Sequence, residues 1–104
     1  MNNDTRIKIL KALREIPHGK VTTYKALAKR FDVTPREIGR VLSTNDRPEY
    51  YPCYKVVKSN REVGGYTIGN KNNEKTKSEK IKRLKSDGIE VRNGRVHKSA
   101  VLKI

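Results

Sequence analysis

The segment Thr34-Pro35-Arg36-Glu37 fixes a helix start almost to the residue. Thr34 can accept from the first free backbone N–H groups. Pro35 suits the first helical position, where its missing N–H needs no partner, and Glu37 stands three residues after the cap. The helix so begun should run from 35 to about 43 and bury Ile38, Val41 and Leu42, which recur at helical spacing. Upstream, Thr23 can cap a helix over 24–31, "YKALAKRF". The link between the two is so short that they must pack on each other, which gives a helix-turn-helix over about 24–43 with Arg36 and Arg40 on its second helix. Gly39 lies inside that helix, where glycine costs about 1 kcal/mol relative to alanine. A close approach to its backbone is expected.

The remaining elements follow from local signals. Residues 4–16 carry Ile7, Leu10 and Leu13 at helical spacing, with Ile9, Ala12 and Ile16 beside them, Asp4 as N-cap, and Pro17 and Gly19 as the break. "VTT" reads as a brief strand or extended link. Residues 45–54, with two prolines, should be irregular. "KVVK" is a short strand, and residues 59–70 form a glycine-containing loop. A further helix is expected over about 74–87, basic outside, with Ile81 and Leu84 inward and Gly88 as its stop. "IEVRNGRVH" predicts a hairpin over about 89–98, with Asn93-Gly94 suited to a type I′ turn. No internal repeat or low-complexity linker interrupts the chain. The expectation is a single domain over 1–104, mostly α with short β elements.

Composition narrows the function classes. The chain has 104 residues, 34% of them hydrophobic, and no tryptophan, so its core should be modest and its stability marginal. No apolar run approaches the ~20 residues that cross a bilayer, and the N-terminus lacks the apolar stretch of a secretory signal. A cytoplasmic protein with no membrane association is expected. Cys53 is the only cysteine, so no intrachain disulfide can form, and with His18 and His97 far apart in sequence it makes a poor zinc site. Neither metal nor cofactor is expected. A lone cysteine, taken by itself, is more often inert packing than a nucleophile. The charge says more: 25 Lys and Arg against 11 Asp and Glu give +14, spread along most of the chain. Such an excess speeds encounters with polyanions and makes binding salt-dependent. A solvated thermophile-like surface and a ribosome-associated protein are the alternatives.

The order of the segments carries a resemblance. "GKVTTY" opens the first short helix, "REIGRVL" forms the second, Asn45 comes after it, and then "PCYKVV" and "GGYTIG". From about Asp4 to Gly88 this succession resembles the C-terminal domain of the O6-alkylguanine-DNA alkyltransferases, also called methylated-DNA–protein-cysteine methyltransferases. The resemblance implies a winged-helix-like helix-turn-helix fold with an active-site loop over about 50–69. It implies a monomeric repair protein of a prokaryotic or archaeal cell that binds double-stranded DNA, turns an alkylated guanine out of the stack, and transfers the alkyl group irreversibly to Cys53 in one turnover. The chemistry is coherent. Displacement at the alkyl carbon of an aryl ether calls for a soft, strong nucleophile, and thiolate is the best that side chains offer. A base buried in a duplex must first be extruded, at a few kcal/mol.

Carried over by position, the resemblance makes Arg36 the side chain that fills the gap left by the flipped base; Glu37 and Arg40 depart from the family's small residues on this helix, where Arg40 could compensate with a phosphate contact and Glu37 serves the cap. Tyr24 would crowd the target's phosphate and touch the guanine. Asn45 would tie the recognition helix to the active-site loop. The carbonyls of Cys53 and Val56 would accept from the guanine 2-amino group. Tyr66 and Thr67 would close the pocket, with a donor at Thr67 toward O6. Ile68, at the pocket mouth, should favour methyl over bulky adducts.

The chain also departs from the family pattern. Tyr54 stands where most members have the histidine that activates the thiol through a water, and a phenol of ordinary pKa near 10 is a poor base at neutral pH. Either lysines such as Lys55 and Lys58 stabilise a tyrosinate, or the thiol ionises without that help, or catalysis is slow. Asp87 stands for the family's orienting glutamate and could complete a Cys53–water–Tyr54–Asp87 chain, or merely end its helix. His18 and His97 are expected at the surface. The further N-terminal domain of two-domain members is not expected in this chain, and the C-terminal hairpin should cover some of the surface that domain would protect. Two competing readings remain. One is a non-catalytic alkyltransferase-like sensor that binds alkylguanine and recruits other factors. The other is a plain helix-turn-helix regulator, which has no use for "PCYKVV".

Overall fold

A computed structural model of the chain describes residues 3–45, 47, 49–64 and 74–102. Four helices and two short two-stranded pairings make up the described part. Helix α1 spans Asn3–Leu13, β1 Thr22–Thr23, α2 Tyr24–Phe31, α3 Pro35–Ser43, β2 Val56–Val57, α4 Glu74–Ser86, β3 Val91–Arg92 and β4 Arg95–Val96. The expected fold class is observed: mostly helical, with a helix-turn-helix and a C-terminal hairpin. Helix α1 stops short of the expected Ile16 because the last turn tightens. The amides of Arg14, Glu15 and Ile16 each bond to the carbonyl three residues back rather than four.

The helix-turn-helix closes as its caps dictate. Thr23 accepts from the Ala26 amide at 3.0 Å, and Thr34 accepts from the Glu37 amide at 3.1 Å while its hydroxyl donates to the Glu37 carboxylate. Asp32 ends α2 in the left-handed region at φ 54°, and its amide reaches back to α2 carbonyls. Gly39 departs from expectation. A Cβ built there meets nothing within 4 Å among the described residues, so the fold itself does not require a glycine.

Strands β1 and β2 pair in parallel, Thr22 with Val56 and Thr23 with Val57. Side chains alternate across a strand, and this pair divides the interior. Val56 joins Ile9, Leu10, Leu13, Leu27, Ile38 and Leu42 in a core among α1, α2 and α3. Val57 joins Val21, Val63, Leu84, Ile89, Val96 and Ala100 in a second core. The C-terminal segment helps build that second core. Val21 exchanges backbone bonds with Ala100 and Leu102 at 2.8 Å, and the hairpin carries Val96 inward. The hairpin turn has φ 54° at Asn93 and 75° at Gly94, the two positive values that a type I′ turn needs. Gly88 at φ 76° stops α4. Among the described residues no helix is long and apolar enough to cross a membrane.

Replacing Thr34 with alanine removes the cap of α3. It should lower stability by about 1 kcal/mol, read as a lower urea midpoint at unchanged slope.

Candidate functional site

Cys53 opens a single 3-10 turn, Cys53–Lys55, that runs directly into β2. The pairing of β2 with β1 therefore sets where the thiol lies relative to α2, which starts at the residue after β1. Two short-range bonds fix the approach. The Cys53 amide donates to the Tyr51 carbonyl at 2.7 Å, and the Val56 amide donates to the Cys53 carbonyl. The Asn45 side-chain amide donates to the same Tyr51 carbonyl at 2.8 Å, and its oxygen accepts from the Arg47 amide at 3.0 Å. The end of α3 is thereby tied to the backbone just before the cysteine.

Cys53 is 5% exposed and lies in the wall of an open groove of about 1040 Å³. Tyr24, Lys25 and Lys29 of α2, Arg36 and Gly39 of α3, and Lys58, Ser59 and Asn60 beyond β2 are among the other residues that line it. The structure thus brings Cys53, Tyr24 and Arg36 together on one concave, basic surface. Arg40 is exposed on α3 but is not part of the groove lining, and neither are Tyr54, Asn45 or Asp87. Tyr66, Thr67 and Ile68 lie outside the described residues. The groove keeps the Tyr24 phenol protonated: burial raises its pKa first, and the nearby Cys53 adds to that.

Against β2 lies a residue that the sequence did not single out. Lys80 of α4 is 1% exposed, and its ammonium donates to the Val56 carbonyl at 2.7 Å. Burial lowers its pKa to about 8, and the electrostatic pull of Cys53 acts in the opposite direction. The only signal that could have found it is register. Lys80 is four residues before Leu84 and so shares its inward face. The Val56 carbonyl, assigned by resemblance to the guanine amino group, is already an acceptor for Lys80, although a carbonyl has a second lone pair to offer.

The groups expected to relay a proton are otherwise engaged. The Asp87 carboxylate pairs with the Lys55 ammonium at 2.9 Å, the His18 ring at 2.7 Å and the Gly19 amide at 3.1 Å. Burial alone would push Asp87 up. The Lys55 hydrogen bond, the Gly19 amide and the charges of Lys55 and His18 together hold it below the usual carboxylate value. Lys55 is itself buried and also donates to the carbonyls of Ile16 and Pro17. It faces Asp87, so it does not serve to stabilise a tyrosinate. Tyr54 packs between the two cores, and burial first, then the Asp87 charge, raises its pKa. The phenol stays neutral. His18 is exposed as expected, yet bound to Asp87, while His97 accepts from the Ser99 amide and caps a C-terminal turn. Among the described residues no group of His, Cys, Asp and Glu could hold a metal ion.

The family model described as "6-O-methylguanine DNA methyltransferase, DNA binding domain" matches residues 4–89. The chain belongs to this family. Its relatives include the bifunctional methyltransferase/endonuclease of Picrophilus torridus, 46% identical over 81% of this chain and 26% of that protein. The methylated-DNA–protein-cysteine methyltransferase of Pyrobaculum aerophilum is 44% identical over 66% of this chain and 47% of its own length. This family member therefore spans between a quarter and a half of those relatives. Among solved structures, the O6-methylguanine-DNA methyltransferase of Pyrococcus kodakaraensis superposes with a TM-score of 0.66 at 28% identity, covering 80% of this chain and 45% of that one. S. pombe Atl1, crystallised with damaged DNA containing O6-carboxymethylguanine, gives 0.81 at 20% identity, covering 100% of this chain and 99% of that one. At that identity the likeness is one of fold.

Asp87→Asn leaves the Lys55 ammonium buried without its anion. It should cost about 3 kcal/mol near neutral pH, measured by denaturant unfolding. The folded-state pKa of Asp87 lies below the unfolded value of 3.8, so its contribution is complete above that value and lost as pH falls through the lower one. The gap between wild type and variant should therefore close in acid.

Proposed function

We propose that this chain repairs O6-alkylguanine in double-stranded DNA by turning the base into the groove and transferring its alkyl group, chiefly methyl, to Cys53 in a single turnover. The observation that carries this reading is the position of Cys53, in the wall of a basic groove it shares with Tyr24 and Arg36. An inert packing cysteine has no need of such a setting. Arg36, exposed in the first turn of α3, would occupy the space a flipped base vacates, a role its planar cation suits through both stacking and phosphate contact. Tyr24, protonated and half-buried, can donate a hydrogen bond into the groove. Cys53 Sγ attacks the alkyl carbon, the carbon–O6 bond breaks, and its electron pair passes to the guanine oxygen. The thioether product is stable, which makes the reaction a suicide. Work of this kind belongs on the nucleoid, in the cytoplasm.

Two observations favour a second reading, a lesion sensor that binds without transfer. Tyr54 is a neutral phenol that cannot act as base, and Asp87 is tied to Lys55 and His18. Intact-protein mass after incubation with a duplex bearing one O6-methylguanine separates the two. Transfer should add ~14 Da to the wild type, as thiolate attack on a methyl group requires, and nothing to Cys53→Ala. Lesion-selective binding with no mass change would establish the sensor.

The exposed cations of the groove also set the salt response. Lys25, Lys29, Arg36 and Lys58 can each neutralise a phosphate. Duplex affinity should therefore fall by at least about tenfold between 50 and 200 mM salt, measured by fluorescence anisotropy. A flat response would exclude the DNA backbone as the ligand of this surface.

A further inference from the structure

We infer that the C-terminal hairpin makes a second contact with the duplex: a pocket framed by Arg61, Arg92 and Arg95 takes a backbone phosphate beside the groove. The inference rests on double-stranded DNA as the partner proposed above for the groove.

The pocket lies against the hairpin and measures about 240 Å³. Its lining includes the three arginines with Glu90, Asn93 and His97, and it shares no lining residue with the groove. Three guanidiniums against one carboxylate leave it positive. The planar fork of a guanidinium matches the oxygens of a phosphate, and such pairs are among the stronger hydrogen bonds.

Position decides which polyanion it meets. Lys58, Ser59 and Asn60 line the groove, and the next residue, Arg61, lines the pocket. Consecutive Cα atoms lie about 3.8 Å apart, close to the rise of about 3.4 Å per nucleotide along one DNA strand. A duplex seated in the groove therefore carries its phosphates toward the hairpin. Backbone bonds keep the two sites in register. The Val96 amide donates to the Arg61 carbonyl at 3.0 Å, and the Val63 amide donates to the Gly94 carbonyl at 2.9 Å. The Arg61 guanidinium also reaches β4, donating to the Val96 carbonyl at 3.3 Å. Arg61 stands at φ 73°, a conformation that glycine would adopt without strain.

Two carboxylates face the same guanidiniums. Glu90 pairs with Arg92 at 3.1 Å, and Glu62 pairs with Arg95 at 3.5 Å. All four side chains are exposed by more than two-fifths. Ion pairs so open to water contribute little. A phosphate can share or displace them at small cost, and each arginine has more donors than one carboxylate uses.

Arg92→Gln combined with Arg95→Gln removes two of the three guanidiniums and leaves the Asn93-Gly94 turn intact. Fluorescence anisotropy should show affinity falling about tenfold for alkylated and undamaged duplex alike, because a phosphate contact carries no base information. The slope of log affinity against log salt should shrink by about 1. The rate of mass gain at saturating alkylated duplex should stay the same. Lys77→Gln combined with Lys82→Gln is the control for charge alone: it removes two exposed cations of α4 that line neither site. A hairpin variant that binds no more weakly than this control overturns the inference, whether the pocket then holds a free anion or an acidic protein segment. A loss confined to the alkylated duplex overturns it as well. The wild type gives an independent reading should the hairpin variant fail to fold. Undamaged duplex should shield Arg92 and Arg95 from phenylglyoxal, located by peptide mass, and unshielded arginines sink the idea. Hairpin-dependent affinity without mass gain from O6-methylguanine sinks the transfer reading alone, whereas mass gain with hairpin-independent affinity sinks this one alone.

Discussion

Two residues of parallel strand hold the molecule's parts in relation to one another. Thr22 and Thr23 pair with Val56 and Val57, and the segments flanking each strand take their places from that register. Thr23 is both the last residue of β1 and the cap of α2, so the helix-turn-helix is launched from the pairing. Cys53 sits one turn before β2, so the thiol is placed by it as well. The alternation of Val56 and Val57 across the pair assigns one to each core. A slip of one residue would exchange the two faces and carry the cysteine away from the groove. Parallel pairs this short have little stability of their own. The two cores on either side hold this one in place.

Charge in this chain works in two regimes. The excess of +14 is mostly on the outside, where each cation is hydrated and its influence fades over about 8–10 Å at ordinary ionic strength. It suits a search along a polyanion and says little about reactivity. Among the described residues two ammonium groups lie inside, and they are handled differently. Lys55 meets a carboxylate, two carbonyls and, through Asp87, the loop after α1, which makes it a staple between the ends of distant segments. Lys80 donates to the Val56 carbonyl and so ties α4 to β2.

Most of the fold was legible because its signals are local. The cap at Thr34, the proline behind it, the Asn93-Gly94 turn and the Gly88 stop each act within a few residues of backbone, and each appears where the sequence puts it. The cysteine's setting was legible through the flanking pattern rather than through any property of the residue itself. The features that could not be read depend on long-range geometry. The Asp87 contacts with His18, Gly19 and Lys55 join residues far apart along the chain. Lys80 stands among several lysines in α4, and its burial and its bond to the Val56 carbonyl set it apart. Strand pairing two residues long leaves too little periodicity to reveal its partner or direction.

Among the described residues nothing crowds Gly39. Alanine there would touch nothing within the described chain and would favour the helix by about 1 kcal/mol, since glycine is the poorer helix former. The bare backbone leaves the groove wider along α3, and a side chain added there would narrow the space that Cys53, Tyr24 and Arg36 share.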